Sequence, residues 1–101
     1  MEKNLYYFYI LKCSDGSKYY GHTNNLAKRF VSHVKGYVIS TRQKRPLQSV
    51  YFEEYETRSQ AFNREMQFKN GRMRKGTIEE LIASFSPEKC QGFNSQTHLT
   101  S

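Results

Sequence analysis

Hydrophobic and polar positions near the start of the chain follow a pattern that predicts a β-hairpin. Residues 5–12 (LYYFYILK) are mostly aromatic or aliphatic, which is typical of a strand. Ser-Asp-Gly at 14–16 has the composition of a turn, with Gly16 suited to a left-handed backbone. Residues 17–21 (SKYYG) then form the returning strand.

The length of the predicted turn decides which side chains share a face of the hairpin. A three-residue turn places Tyr9 opposite Gly21 and Leu11 opposite Tyr19, whereas a two-residue turn would separate the two tyrosines. We predict the three-residue turn, so Tyr9 and Tyr19 point to the same face because side chains alternate along a strand. Since Gly21 has no side chain, we expect it to leave room beside Tyr9 for a substrate group.

A helical pattern follows the hairpin. Thr, Asn and Asn at 23–25 are suitable N-cap residues, and residues 26–35 (LAKRFVSHVK) place their large apolar side chains on one stripe. Arg29 and His33 are four residues apart, so we expect them to share a different face of this helix.

The rest of the chain completes a small α/β (α+β) domain. The further elements are a basic loop at 37–47, a strand at 49–55, a helix at 58–70, a short helix at 78–85 and a polar segment at 86–101. The order β-β-α-β-α-α predicts a three-stranded sheet, antiparallel or mixed, flanked by helices. We expect the folded domain to span residues 1–85 and residues 86–101 to form a flexible polar tail.

Composition narrows the function classes. The chain has 101 residues, with 16 Lys and Arg against nine Asp and Glu, which gives a net charge of +7 and a pI near 9.5. Such an excess favours a polyanionic partner, nucleic acid first and an anionic membrane surface second. No apolar run approaches the roughly 20 residues of a membrane span, and no signal peptide is evident, so a cytoplasmic protein is expected. Two cysteines exclude both a disulfide framework and a zinc cluster.

Several polar residues are suited to cleaving a phosphodiester bond. This reaction needs an activated nucleophile, cationic stabilisation of the pentavalent phosphate and, in most enzymes, a metal ion. Tyr9 and Tyr19 could supply a general base or hydrogen bonds to the attacking water, and Arg29 could bind a phosphate through two hydrogen bonds. His33 could share the proton of the nucleophile or bind the phosphate. Glu65, mid-helix and away from the apolar face, is the best candidate for a hard oxygen ligand to a metal.

Each of these residues also has a structural interpretation. Strand tyrosines are usually core residues with a hydrogen-bonded hydroxyl, and a lone arginine or histidine on a helix is usually solvated. Glu65 could simply pair with Lys69 at the i, i+4 spacing. For each residue taken singly, the structural role is the more common one. Only the spacing of the whole set favours catalysis.

The chain carries YFY at 7–9 and YYG at 19–21, followed by Arg29 and His33. This arrangement resembles the GIY-YIG nuclease superfamily, in particular its small stand-alone bacterial branch and the N-terminal nuclease domain of the excision-repair C subunit. The resemblance extends from residue 5 to about residue 83. The first triad lacks the usual Gly-Ile and the second lacks the usual Ile, at positions that we expect on or beside the non-catalytic face.

The resemblance implies a metal-dependent endonuclease acting on DNA, with a role in DNA repair or recombination as a further hypothesis. It implies that Mg²⁺ or Mn²⁺ is bound through Glu65 and that Tyr9 helps to activate water. Gly21 would be a structural residue of the site. The positions that match the family's catalytic residues are Tyr9, Tyr19, Arg29, His33 and Glu65.

Basic residues near the proposed site predict contacts with nucleic-acid phosphates. These residues are Arg42, Lys44, Arg45, Lys69, Arg72, Arg74 and Lys75. Phosphate contacts would give salt-sensitive binding with little sequence preference. Two alternative functions remain open. One is a nucleic-acid-binding module on the same fold with little or no turnover. The other is an interaction domain that a protein partner recruits, with a tail at 86–101 that becomes ordered when the partner binds.

Overall fold

The computed structural model describes residues 4–94, which form a three-stranded antiparallel sheet with helices on both faces. The elements are β1 (Tyr6–Lys12), β2 (Lys18–Thr23), α1 (Leu26–Val34), α2 (Ile39–Arg42), β3 (Gln48–Tyr55), α3 (Arg58–Lys69), α4 (Lys75–Ser84) and α5 (Glu88–Asn94). The strand order is β2-β1-β3, so β1 is central. The predicted fold class is therefore confirmed.

The hairpin has the predicted register. Tyr9 pairs with Gly21 and Leu11 pairs with Tyr19, while Gly16 closes the turn with a φ of +88°. The structure corrects the role expected of Gly21. A β-carbon there would lie only 2.5 Å from the Tyr9 hydroxyl oxygen, so the space is filled by the Tyr9 ring itself and not left for a substrate group.

The two faces of the sheet build separate halves of the core. One face packs against α1 and α5 through a cluster that includes Tyr9, Leu11, Leu26, Phe30 and Phe93. The opposite face packs against α3 and α4 through a cluster that includes Phe8, Ile10, Tyr51, Phe68 and Ile78. Because α1 and α3 cover opposite faces, side chains from both can meet only around an edge of the sheet. None of the helices within residues 4–94 is both long and apolar enough to cross a membrane.

The chain remains folded beyond the predicted domain boundary at residue 85. Helix α5 covers one face of the sheet, and its Cys90 is buried. The Asn94 side chain pairs with both backbone groups of Ser49: its Oδ1 accepts from the Ser49 nitrogen at 2.6 Å and its Nδ2 donates to the Ser49 oxygen at 3.0 Å. The predicted flexible tail is therefore wrong for Glu88–Asn94, and residues 95–101 lie outside the described chain.

The predicted basic loop also contains an unpredicted helix. Helix α2 has no side-chain cap and is too short to show an apolar period, so its sequence gave no helical signal. Its Thr41 is completely buried although the surrounding residues are exposed. A buried hydroxyl needs hydrogen-bond partners, and those of Thr41 lead directly to Tyr9.

Candidate active site

Tyr9 lies within a buried chain of hydrogen bonds that joins β1, α1 and α2. Its hydroxyl oxygen is 2.9 Å from His33 Nε2, and Arg29 Nε donates to the same oxygen at 3.4 Å. On the other side of the imidazole, His33 Nδ1 is 2.8 Å from Thr41 Oγ1, which donates to the Val38 carbonyl at 3.5 Å. We refer to this hydrogen-bonded set as the tyrosine relay; its members, in order, are Arg29, Tyr9, His33, Thr41 and the Val38 carbonyl.

The contacts at the two ends of the relay agree with one direction of its protons. The Val38 carbonyl can only accept, so Thr41 donates to it and accepts in turn from His33 Nδ1. His33 Nε2 is then left as the acceptor for the Tyr9 hydroxyl. The Arg29 guanidinium can only donate, which agrees with the Tyr9 oxygen accepting from it. In this direction the proton of Tyr9 points towards His33, and the other tautomer of His33 would reverse both imidazole contacts.

Burial controls the protonation states along the relay. It raises the pKa of Tyr9 well above that of an ordinary phenol, although the hydrogen bond from Arg29 acts in the opposite direction. Burial also lowers the pKa of His33 to about 4, and the neighbouring Arg29 charge adds to this effect. The hydrogen bond to Tyr9 raises the pKa of Arg29. At neutral pH the relay is thus a neutral phenol and a neutral imidazole beside a permanent cation.

The structure corrects the predicted position of His33. Sequence periodicity assigned it with Arg29 to a face away from the apolar stripe, but its side chain is 0% exposed. The imidazole can occupy the core because Tyr9 and Thr41 satisfy both of its nitrogens. His33 is therefore linked to the rest of the candidate site through Tyr9, and its buried side chain does not contact a phosphate directly in this arrangement.

Tyr19 connects the relay to the edge strand β2. Its ring lies 6.2 Å from the Tyr9 ring and 4.9 Å from the His33 ring, measured between centroids. Unlike Tyr9 it is only half-buried. On its other side, the Lys69 ammonium of α3 lies 5.9 Å from the ring centroid.

Glu65 is a buried carboxylate on α3. It is 6% exposed and shares the buried stripe of the helix with Ala61 and Phe68, so the prediction that it lies away from the apolar face is wrong. It is accommodated there because both oxygens have partners: His22 Nδ1 lies 2.8 Å from Oε1, and Lys69 Nζ lies 2.8 Å from Oε2. The predicted pairing of Glu65 with Lys69 is therefore present.

The carboxylate and the tyrosine relay meet around the edge of β2. Lys69 contacts both Glu65 and the Tyr19 ring, while His22, the partner of Glu65, directly follows Gly21 in β2. Burial raises the pKa of Tyr9, and the nearby negative charge of Glu65 adds to the rise. The structure thus brings together the five residues predicted for catalysis, which are Tyr9, Tyr19, Arg29, His33 and Glu65.

Two residues of the site were absent from the predicted set. His22 is signalled only by its position directly after Gly21. Thr41 has no sequence signal, because it lies in a segment predicted to be a loop.

The donor set at Glu65 fits an open magnesium site and not a closed one. Within residues 4–94 there is no group of three or more His, Cys, Asp or Glu side chains that could enclose a metal. Mg²⁺ commonly keeps several waters and binds one or two carboxylates together with substrate phosphates. A single buried carboxylate meets that requirement once Lys69 moves aside. The Lys69 side chain is 43% exposed, so its ammonium can move into solvent when a metal ion replaces it at the buried carboxylate.

The basic residues predicted to contact phosphates lie at the surface. Six are exposed and Lys44 is half-buried; the exposed ones are Arg42, Arg45, Lys69, Arg72, Arg74 and Lys75. Arg42 also donates to the Gly36 carbonyl in the turn after α1, and Arg45 donates to the Val34 carbonyl at the end of α1. Contact of the seven residues with nucleic acid remains a prediction.

Comparison with known proteins gives a consistent result. The model of the GIY-YIG catalytic domain matches residues 5–77. A UPF0213 protein of Bacillus pumilus is 43% identical over 84 residues, which cover 80% of this chain and 86% of that protein. A UPF0213 protein of Pediococcus pentosaceus is 40% identical over 79 residues, covering 77% and 82%. The solution structure of a UPF0213 protein from Bacillus halodurans is 26% identical, with a TM-score of 0.50 and coverage of 96% and 98%.

Proposed function

Because the chain belongs to the GIY-YIG catalytic-domain family, a nuclease-type domain, we propose that it is a metal-dependent endonuclease that hydrolyses phosphodiester bonds in DNA. One observation carries the proposal: the buried Glu65 carboxylate reaches the same sheet edge as the tyrosine relay. Burying a carboxylate is costly, and a small domain gains no evident stability from it. We further propose that the enzyme acts in DNA repair or recombination in the cytoplasm.

Arg29 would hold the phosphodiester group. Its guanidinium is only partly buried and lies beside both tyrosines, so it can direct N–H groups to a phosphate oxygen next to the Tyr9 hydroxyl. The same contact would raise the pKa of His33, the histidine of the relay. A bound phosphate anion offsets the Arg29 charge, and that charge is one of the two causes that keep the pKa of His33 low.

Tyr9 would orient and deprotonate the attacking water. The proton of the water passes to the Tyr9 oxygen as the original Tyr9 proton passes to His33 Nε2, the acceptor at 2.9 Å. The water oxygen forms the new bond to phosphorus, and the bond from phosphorus to the leaving oxygen breaks. The leaving oxygen keeps the electron pair and takes a proton from solvent. Thr41 keeps the imidazole in the tautomer that can accept this proton, since its hydroxyl takes the hydrogen bond from Nδ1.

Glu65 would bind Mg²⁺ or Mn²⁺, and the ion would neutralise negative charge that develops on the phosphate oxygens. His22 holds the carboxylate in position through Oε1, while Lys69 occupies Oε2. Lys69 is therefore expected to exchange its carboxylate contact for a contact with the phosphate backbone.

The test is cleavage by purified protein with Mg²⁺ or Mn²⁺, on duplex, flap, junction and single-stranded DNA. Glu65→Gln should reduce the cleavage rate at least about a hundredfold, the size of effect seen when a group that stabilises the transition state is lost. Glu80→Gln, at an exposed carboxylate of α4, is the matched control and should keep the wild-type rate. Unfolding measurements on both variants exclude loss of fold. Equal rates for Glu65→Gln and the wild type would disprove the site.

A nucleic-acid-binding module without turnover is the second candidate function. The observation that favours it is that both Glu65 oxygens already have partners, which leaves the carboxylate satisfied without a metal. This candidate predicts salt-sensitive DNA binding that chelator does not change, and no cleavage with any divalent ion.

A further inference from the structure

The two most exposed large hydrophobic side chains among residues 4–94 lie next to the tyrosine relay. Tyr37 is 70% exposed and Ile39 is 81% exposed. They flank Val38, whose carbonyl is the last acceptor of the relay. The backbone that carries these two side chains is therefore linked through three hydrogen bonds to the Tyr9 hydroxyl.

This exposed pair is held on a fixed turn. The Tyr37 nitrogen donates to the Ser32 carbonyl at 3.0 Å. Arg42 Nε donates to the Gly36 carbonyl at 2.8 Å, and the Arg45 guanidinium donates to the end of α1. A backbone segment that is already held in place loses less conformational entropy on binding than a loop that must first be ordered. The pair is therefore prepared for contact with a partner.

The charge of the segment that carries the pair indicates the chemistry of that partner. Residues 16–52 contain seven Lys and Arg and no Asp or Glu, whereas the rest of the chain contains nine residues of each sign. The whole net charge of +7 thus comes from the segment that carries Tyr37, Ile39, Arg29 and His33. An apolar contact on a turn that also carries the exposed cations Arg42 and Arg45 fits a polyanion that also presents apolar surface. Nucleic acid with accessible base faces meets both conditions.

We propose that Tyr37 and Ile39 bind unpaired or unstacked bases beside the phosphodiester group held at Tyr9. The Tyr37 ring stacks on a base, and Ile39 fills the gap between neighbouring bases. The substrate class is accordingly nucleic acid with a gap, flap or mismatch next to the cleaved bond, in preference to continuous duplex. The position of the bases relative to the cleaved bond rests on the proposed nuclease function, but the base contact itself requires no turnover.

The experiment measures binding in the presence of EDTA, so that cleavage plays no part. Two fluorescent DNAs are compared, a continuous duplex and the same duplex with a short single-stranded gap. The variant Tyr37→Ser/Ile39→Ser should lose affinity for the gapped DNA by at least about fivefold, because stacking of one base on an aromatic ring contributes that much or more. Its affinity for the duplex should change by less than about twofold, because phosphate contacts are unaltered.

Two control variants sharpen the comparison. Ser40→Ala changes an exposed residue of the same turn and should behave as wild type. Tyr37→Trp keeps an aromatic face and should retain the preference for gapped DNA. A 2-aminopurine base in the gap should change its fluorescence with the wild type but not with the double variant.

Several results would overturn this inference. They are an equal loss of affinity for both DNAs, unchanged affinity for both, absence of DNA binding, and sedimentation showing that the pair instead joins two copies of the chain. Preference for gapped DNA without cleavage under any metal would reject the nuclease proposal and support the base contact. Cleavage without a preference for gapped DNA would support the nuclease proposal and reject the base contact.

Discussion

Replacing Gly21 with alanine should destabilise the protein through the Tyr9 ring. The added β-carbon would lie 2.5 Å from the Tyr9 hydroxyl oxygen and 2.6 Å from Cζ. The backbone at Gly21 does not have a positive φ, so alanine itself can adopt the conformation. The whole cost must therefore come from moving a buried ring that hydrogen bonds to His33 and Arg29 hold in place.

The size of the effect follows from two unfavourable contributions and one favourable contribution. Overpacking a well-filled core typically costs about 1–3 kcal/mol. Displacing the phenol leaves buried His33 Nε2 without its donor, which costs about another 1–3 kcal/mol. Replacing glycine restricts the unfolded chain and returns about 0.4–1 kcal/mol. We expect a net loss of about 1–5.6 kcal/mol, to be compared with the roughly 5–15 kcal/mol that stabilises a domain.

A double-mutant cycle with Tyr9→Ala tests this explanation by urea unfolding. In the Tyr9→Ala background the ring is absent, so Gly21→Ala should have almost no effect on the free energy of unfolding. Gly76→Ala is the matched control, because a β-carbon at Gly76 in α4 would meet no atom within 4 Å. It should leave stability unchanged or raise it by up to about 1 kcal/mol.

Two outcomes would refute the reasoning. If the free-energy changes of Gly21→Ala and Tyr9→Ala add to within about 0.5 kcal/mol, the two residues do not compete for the same space. If Gly21→Ala keeps full stability but weakens binding of DNA, the glycine leaves room for a substrate group, as the sequence first suggested.

Two further predictions concern the buried polar groups. Stability should fall as the pH drops from about 6.5 to about 4. In this range His33 takes up a proton in the unfolded chain but not in the folded protein, where its pKa is about 4. The lowered pKa corresponds to a loss of about 3 kcal/mol at low pH and has no effect on stability above neutral pH. Urea unfolding across this range should show a shallower pH dependence for His33→Gln, and an identical slope would contradict the assignment. Asn94→Ala should lower the free energy of unfolding by about 1–3 kcal/mol, since it removes both partners of the Ser49 backbone, whereas the exposed Gln91→Ala should not. Equal thermal midpoints for these two variants would indicate that the hydrogen bonds between Asn94 and Ser49 contribute nothing to stability.

The sequence predicted the features that local rules determine. The turn at 14–16 specified the register, and the register placed Tyr9 and Tyr19 on one face because side chains alternate with a period of two. Helix α5 could not be predicted in this way. Seven mostly polar residues show no period, and the helix is held by contacts with β3 that are some 40 residues away in the sequence.

The two errors in the site have a common physical cause. Hydrophobic periodicity assigns polar side chains to the solvent, so it assigned His33 and Glu65 to exposed faces. Both side chains are buried, because partners from other elements, including Thr41 and His22, satisfy them. These partners could not be identified from spacing, since they lie 8 and 43 residues away in the chain.

Helix geometry nevertheless contains a signal for both residues. His33 follows Leu26 and Phe30 at the spacing i, i+4, i+7, and Glu65 occupies the middle of the same spacing between Ala61 and Phe68. A titratable side chain at such a position must either break the apolar stripe or be buried with a partner, because an unpaired charge in the core is too costly. In a chain this short, two such positions on helices that cover opposite faces of one sheet imply two buried polar contacts. The edge strand β2 provides the place where they approach each other, and for that reason the candidate site lies at Tyr19 and Gly21.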